Sequence, residues 1–196
     1  LHYINRADKL DYGDLVLVDA GCEVKGYAGD ITRTFPVNGS FTEAQAVLYD
    51  LVLRAQADAI GAMVVGNSIK SFHEAALRRL TEGLIDLNII EGPLEVAIEE
   101  KRYATYYMHG TGHFLGLDVH DVGMYEIDSE PIEFSEGMVV TCEPGLYLNK
   151  RSDAPTRYRG IGIRIEDDVL ITQQGPEILS KDVPKERSEI EALMRD

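Results

Sequence analysis

Basic residues are scarce in this chain. Its 196 residues hold 19 Lys and Arg against 34 Asp and Glu, a formal charge of −15 at neutral pH. That balance repels phosphate backbones and anionic lipid, so neither nucleic acid nor a membrane is an expected partner. Apolar runs are short. None is longer than stretches such as Leu15–Val18, whereas crossing a bilayer takes about 18 residues. No secretory leader can be read. Cysteine is nearly missing: Cys22 and Cys142 are the only two. They make no disulfide framework, which fits a reducing compartment and a cytoplasmic location. Neither an internal repeat nor a low-complexity stretch is present. The chain is long enough for one domain burying roughly 70% of its unfolded surface. It opens at Leu1 rather than Met, and the expectation is a fragment of a longer protein.

The pattern along the chain is strands, then helices, then strands. Asp14–Ala20, after Gly13, reads as a buried strand. Ile31–Phe35 alternates and ends at Pro36, a second strand. The glycines between them predict a hairpin. Thr42 starts a helix over Glu43–Met63, and Gly66-Asn67 interrupts it. A second helix is expected over Ser68–Asn88, and a short third after Pro93. Met108–Gly123 has no clean period and reads as loop with short strands. Gly137–Cys142 and Gly160–Asp167 read as strands joined by the polar segment Asn149–Arg159, with a last helix over Lys185–Met194. The order argues for a mixed α+β domain with one main sheet.

Four carboxylates stand where strands end. Asp19 closes the first strand and Asp30 opens the second. A turn centred near Val24-Lys25 would set them face to face, where like charges repel unless a cation lies between. Glu143 follows Met138–Cys142 and Glu166 closes Ile161–Ile165, with their midpoint near Asp153-Ala154, inside the polar connector. Asp19, Asp30 and Glu143 each have a plainer reading as a turn or cap residue, which is weak for Glu166 because it follows Ile-Arg-Ile in an expected half-buried strand. The histidines tip the balance. Of five, His109, His113 and His120 fall in one glycine-rich run, HGTGHFLGLDVHD. His109 and His113 are four apart, as in the zinc motif HExxH, but the Glu is missing and Gly110 and Gly112 disfavour a helix. His73 stands on the second helix with no assigned role. A mostly hard oxygen donor set suits Mn²⁺, with Co²⁺ or Zn²⁺ as alternatives, and two such ions would neutralise the four carboxylates. Both cysteines read as packing residues.

The runs DAGCEVKGYAGDITRTFPVNG, HGTGHFLGLDVHDVG, TCEPGLY and RGIGIRIEDD, in this order, resemble the metal-dependent aminopeptidase P (Xaa-Pro aminopeptidase) and prolidase group. The resemblance covers essentially the whole chain. It implies the pita-bread fold: a curved, mostly antiparallel sheet with outer helices and pseudo-twofold symmetry. It makes residues 1–196 a metallopeptidase catalytic domain lacking its N-terminal part. It also implies that Asp19 chelates one of two metal ions, that Asp30 and Glu166 bridge both, and that His113 and Glu143 hold the other. His109 and His120 would line the substrate side, His2 would match a further active-site histidine, and Arg164 and Tyr147 would support the ligands.

The implied reaction removes the first residue from peptides with proline second. Glu143 would shuttle the proton and His120 would donate a hydrogen bond to the tetrahedral intermediate. The implied partners are Xaa-Pro peptides and, in the full-length protein, further copies in a homo-oligomer. A prolidase, restricted to Xaa-Pro dipeptides, is the nearest alternative. A methionine aminopeptidase fits HGTGHFLGLDVHD less well. A non-catalytic binding module of the same fold is the alternative from another class, weakened by five metal-competent side chains at the five ligand positions.

Overall fold

The computed structural model describes residues 9–195. Strand β1 (Leu15–Ala20) is followed by a small hairpin, β2 (Glu23–Val24) and β3 (Tyr27–Ala28), and by β4 (Ile31–Pro36). Helices α1 (Glu43–Ala62), α2 (Ser71–Asp86) and α3 (Leu94–Glu99) come next. Then follow β5 (Glu126–Ile127), β6 (Glu130–Pro131), β7 (Val139–Cys142), β8 (Gly145–Leu148), β9 (Ile161–Arg164), β10 (Asp167–Thr172) and β11 (Gly175–Ile178), and finally α4 (Arg187–Leu193). All strand pairs among these elements are antiparallel.

Helix α1 starts where the sequence says it should. Thr42 and Gln45 form a capping box, each side chain bonding the other's backbone N–H. Its apolar stripe, Leu48, Leu51, Val52 and Ala55, is buried, and α2 packs along it. The strands form several small antiparallel sheets rather than the one main sheet expected, with β7, β10 and β11 in one and β8 and β9 in another, and the two helices pack against these. One apolar cluster runs from α1 and α2 to Leu146, Leu148, Ile161 and Ile163 of β8 and β9. A second joins Met63, Phe72 and Phe134 to Val140, Cys142 and Val169 of β7 and β10.

The two hairpins that carry the carboxylates differ from expectation in instructive ways. The turn between β2 and β3 falls at Lys25 and Gly26, both at positive φ (54° and 87°), the pairing of a tight primed turn. Register then sets Asp19 opposite Thr32, not opposite Asp30. The two aspartates still share one face, because the offset is two residues and the side-chain period is two. β1 is also less buried than its apolar run suggests: among the described residues it pairs only with β4, and Val18 is 41% exposed.

In the second hairpin the pairing centres between Ala154 and Pro155, one residue past the expected midpoint, and the ladder is broken. β7 pairs with β10 through Cys142 and Asp167, and β8 pairs with β9 through Gly145 and Arg164. Glu143 and Glu166 sit in the gap between these pairs. β8 carries no signal of its own, since Glu-Pro-Gly reads as a corner, and β10–β11 lie beyond the strand expected to end at Asp167. Gln56 of α1, fully buried, fills the break. Its side-chain amide reaches the carbonyls of Cys142 (3.1 Å) and Ile165 (3.2 Å).

Candidate metal centre

Four segments bring the site together. β4 runs beside the β9–β10 junction, with Glu166 N–H donating to the Thr32 carbonyl (3.0 Å). The segment 111–115 lies antiparallel along β7: Glu143 N–H donates to Thr111 O (2.6 Å), Thr141 N–H to His113 O (2.9 Å), and Leu115 N–H to Val139 O (3.1 Å). Gly112 is required for this approach, because a Cβ there would collide with the Thr141 carbonyl.

One ligand atom each from Asp30, His113 and Glu166 lie within 4.8 Å of one another. His113 Nε2 is 3.5 Å from Asp30 Oδ2 and 3.6 Å from Glu143 Oε1. Its Nδ1 is 2.9 Å from the Phe114 carbonyl. A carbonyl only accepts, so Nδ1 carries a proton and Nε2 is the nitrogen turned to the carboxylates. An open cleft of about 920 Å³ is lined by Asp19, Asp30, His109, His113, His120, Glu143, Arg164 and Glu166. Of the expected site residues, only Tyr147 stands behind the wall rather than on it, and His2 lies outside the described residues. Cys22, expected to be a packing residue, is exposed and lines the cleft, whereas Cys142 is buried in the core.

Arg164 organises one side. Its Nη2 donates to Asp19 Oδ2 (2.5 Å), its Nη1 to Tyr147 OH (3.0 Å) and its Nε to Thr32 Oγ1 (3.2 Å). Thr32 in turn donates to Glu166 Oε2 (2.5 Å). His109 spends both ring nitrogens within the protein: Nδ1 on the Gly110 carbonyl (2.7 Å) and Nε2 on Tyr147 OH (2.9 Å). His120 stands at the exposed face, its ring 4.3 Å from that of His113 at 82°.

Charge accounting shows what this cluster lacks on its own. Burial, with Glu143 nearby, pushes the Glu166 carboxyl up to about 8. Burial likewise pushes Glu143 up to about 7, although His113 and Arg164 pull the other way. Burial opposes charge on His113, but Asp30, the Phe114 carbonyl and Glu143 outweigh it and lift the imidazolium to about 9. Burial works against ionisation of Asp30 as well, and hydrogen bonds with His113 and Asp19 overcome it, holding its carboxyl below the ordinary value. The raised values of the two glutamates are what burial among like charges produces, and a cation at the cluster would offset that charge. Four carboxylates around one imidazole with its Nε2 turned inward fit divalent ions that favour oxygen donors.

Three supporting residues escape a reading by motif. Thr32 bonds Glu166. Asp168, two residues beyond Glu166, accepts Asp30 N–H at Oδ2 (3.1 Å), while its Oδ1 is buried without a hydrogen-bond partner. Arg33 donates from Nη1 to the Glu166 carbonyl (2.5 Å) and from Nη2 to Asp167 (2.8 Å). Period-two alternation from Asp30 and from Glu166 flags Thr32 and Asp168 as same-face neighbours. Nothing local flags Arg33.

The fold is the pita-bread fold, seen in aminopeptidase P structures of nearly the same shape. The aminopeptidase PepP structure from Pseudomonas aeruginosa matches with a TM-score of 0.98 at 45% identity, over 100% of this chain and 44% of that one. Proline aminopeptidase P II from Yersinia pestis matches with a TM-score of 0.95 at 50% identity, over 100% and 45%. The chain belongs to metallopeptidase family M24, whose model matches residues 1–173. An Xaa-Pro aminopeptidase from Haemophilus influenzae is 53% identical over 194 residues, covering 99% of this chain and 45% of that protein. The chain thus spans a little under half the length of the curated relatives it matches. No described helix is long and apolar enough to cross a membrane.

Proposed function

We propose that residues 1–196 form the catalytic domain of a dinuclear-metal Xaa-Pro aminopeptidase, which releases the N-terminal residue from peptides with proline at the second position. The observation that carries this reading is the convergence of Asp30, His113 and Glu166 within 4.8 Å, with Asp19 and Glu143 on the same cleft. The relatives' names supply the substrate class.

In this reading Asp19 would hold one divalent ion, His113 and Glu143 would hold the other, and Asp30 and Glu166 would serve both. The oxygen-rich donor set favours Mn²⁺, with Co²⁺ or Zn²⁺ as alternatives. Two such ions, when bound, acidify water and polarise a carbonyl oxygen. The chain's own groups do the rest. Glu143, at the cleft wall, carries the proton between nucleophile and leaving group. His120, on the exposed wall, donates a hydrogen bond to the oxyanion that develops on the scissile carbonyl. Arg164 fixes Asp19 and Tyr147, and Tyr147 fixes His109. The acidic cluster draws the substrate's free α-amine, which favours cleavage at the chain end.

Proline explains the need for a dedicated site. It lacks an N–H and its φ is fixed near about −65°, so a site that reads a backbone N–H would reject it. A cleft walled by His109 and His120 makes no such demand. Homo-oligomeric assembly and a cytoplasmic location accompany this reading.

The test is hydrolysis by the full-length protein, stripped of metal and resupplied with Mn²⁺, on an Xaa-Pro dipeptide and an Xaa-Pro-Yaa tripeptide. Cleavage of the tripeptide supports the proposal. Activity on the dipeptide alone would make it a prolidase, and no metal-restored activity on either would favour a non-catalytic binding module.

A further inference from the structure

His73 belongs to no ligand set, yet it is tied to the site. It lies near the start of α2, with Nδ1 2.8 Å from Thr111 Oγ1. The same Oγ1 is 2.5 Å from Tyr107 OH. Thr111 and Tyr107 are each only 1% exposed, so both hydroxyls depend on these partners. A threonine hydroxyl gives one proton and accepts others. Burial lowers the His73 pKa from its ordinary value and keeps the ring neutral. One assignment satisfies every atom: Tyr107 O–H donates to Thr111, Thr111 O–H donates to His73 Nδ1, and His73 carries its proton on Nε2.

The other side of Thr111 faces the metal centre. Its carbonyl accepts Glu143 N–H at 2.6 Å. In sequence it stands midway between His109 and His113. The neighbouring residue of α2, Phe72, packs against Gly112, close enough to leave little room for a Cβ there. Tyr107 also meets both imidazoles, its ring 5.9 Å from His73 and 5.1 Å from His109. Helix α2 therefore grips the middle of the histidine loop at a side chain whose backbone holds Glu143.

We propose that His73 and Tyr107, acting through Thr111, are positioning residues that set the spacing between His113 and Glu143. The inference rests on the metal-centre reading above and deepens it. None of the three touches the reacting atoms. Their effect is on how well the two ligands are preset for one ion.

The experiment uses the full-length protein, stripped of metal, with two readouts. One is Mn²⁺ binding by calorimetry, and the other is the His113 ring signals in the metal-free protein by NMR. Thr111→Val and His73→Ala should each weaken Mn²⁺ binding by about 10–100-fold, the usual effect of losing a group that orients a ligand, and should shift the His113 signals. Thr111→Ser, which keeps the hydroxyl, should restore parental binding. Thr81→Val is the control: Thr81 is a fully buried threonine of α2 whose hydroxyl donates to the Leu77 carbonyl (2.7 Å), away from the site. It should lower the melting temperature and leave both readouts alone. Should Thr111→Val not fold, His73→Ala and Thr111→Ser decide the matter. Parental binding with unshifted His113 signals in His73→Ala and Thr111→Val overturns the proposal, as does an equal loss in Thr81→Val. A parent that takes up no Mn²⁺ refutes the metal-centre reading instead, and the ring signals alone then judge the positioning role.

Discussion

His113 and His120 sit ring against ring, yet their chemistry separates them. His113 gives its Nδ1 proton to a backbone carbonyl and turns Nε2 into the carboxylate cluster. His120 stands on the exposed wall of the cleft. Replacing His113 with Ala should abolish activity and remove one equivalent of metal. Replacing His120 with Ala should keep the full metal content and lower kcat by about 10²–10³-fold, the usual cost of one oxyanion donor. Metal content by elemental analysis, run beside kcat, checks both, and equal metal loss in the two variants would contradict the separate roles. Asp19, Asp30, His113, Glu143 and Glu166, which the fold brings to one cleft, were legible as candidates because each lies in a short local motif. Thr32 and Asp168 were legible only as same-face neighbours of Asp30 and Glu166, and Arg33 not at all, because their partners are more than 130 residues away along the chain.

Strands and loops set the tolerances. The segment 111–115 can lie along β7 only because Gly112 has no side chain. Gly112→Ala should push the loop off β7, break the Glu143–Thr111 bond and leave a protein that folds around its helices but binds Mn²⁺ poorly. Calorimetric titration beside a melting curve checks this. The sequence made the glycines of this loop visible as helix breakers, and the segment is indeed not helical; the close approach to β7, which requires Gly112, shows only in the structure. Hairpin register was similarly half legible. Positive φ at Lys25 and Gly26 places the turn one residue beyond the midpoint of Asp19 and Asp30. A turn shift of one residue moves the partner by two, which places Thr32, not Asp30, across from Asp19.

Two features belong to the molecule as a whole. Asp167 is fully buried and joins four regions: it accepts from Arg33 of β4 (2.8 Å), Gln56 of α1 (3.1 Å), and Ser180 and Lys185 of the C-terminal segment (both 2.6 Å). Removing one partner of such a pair strands a charge. Asp167→Ala should cost about 3–5 kcal/mol, read as a shift in the denaturant midpoint of the metal-loaded protein.

The second feature is the link between protons and metal. Glu143 and Glu166 have folded-state values of about 7 and about 8, above the roughly 4.3 of an unfolded Glu. Between those limits the metal-free fold holds protons that the unfolded chain has released, so its stability falls as pH rises. His113, lifted to about 9, contributes stability below its unfolded value near about 6.5 and loses it as pH rises through 9, with the same sign. Asp30 has the opposite sign but acts only in the acid range. A divalent ion replaces those protons. The gain in melting temperature on adding Mn²⁺ to the stripped protein should therefore grow from pH 6 to pH 8.5. A gain that is flat or shrinks over that interval would contradict the linkage.

The sequence by itself determined the helices and singled out the acidic and histidine side chains, with the hard-donor chemistry they favour, that the fold brings to one cleft. Those rest on local facts: apolar period, capping residues, and acids and imidazoles placed at the ends of short runs. Only the tertiary structure decided which carboxylates meet, which nitrogen of His113 turns inward, and which buried threonines and arginines hold them there. Those depend on strand register and on contacts across the whole chain, where a shift of one position turns a side chain to the other face and nothing in the local sequence records it.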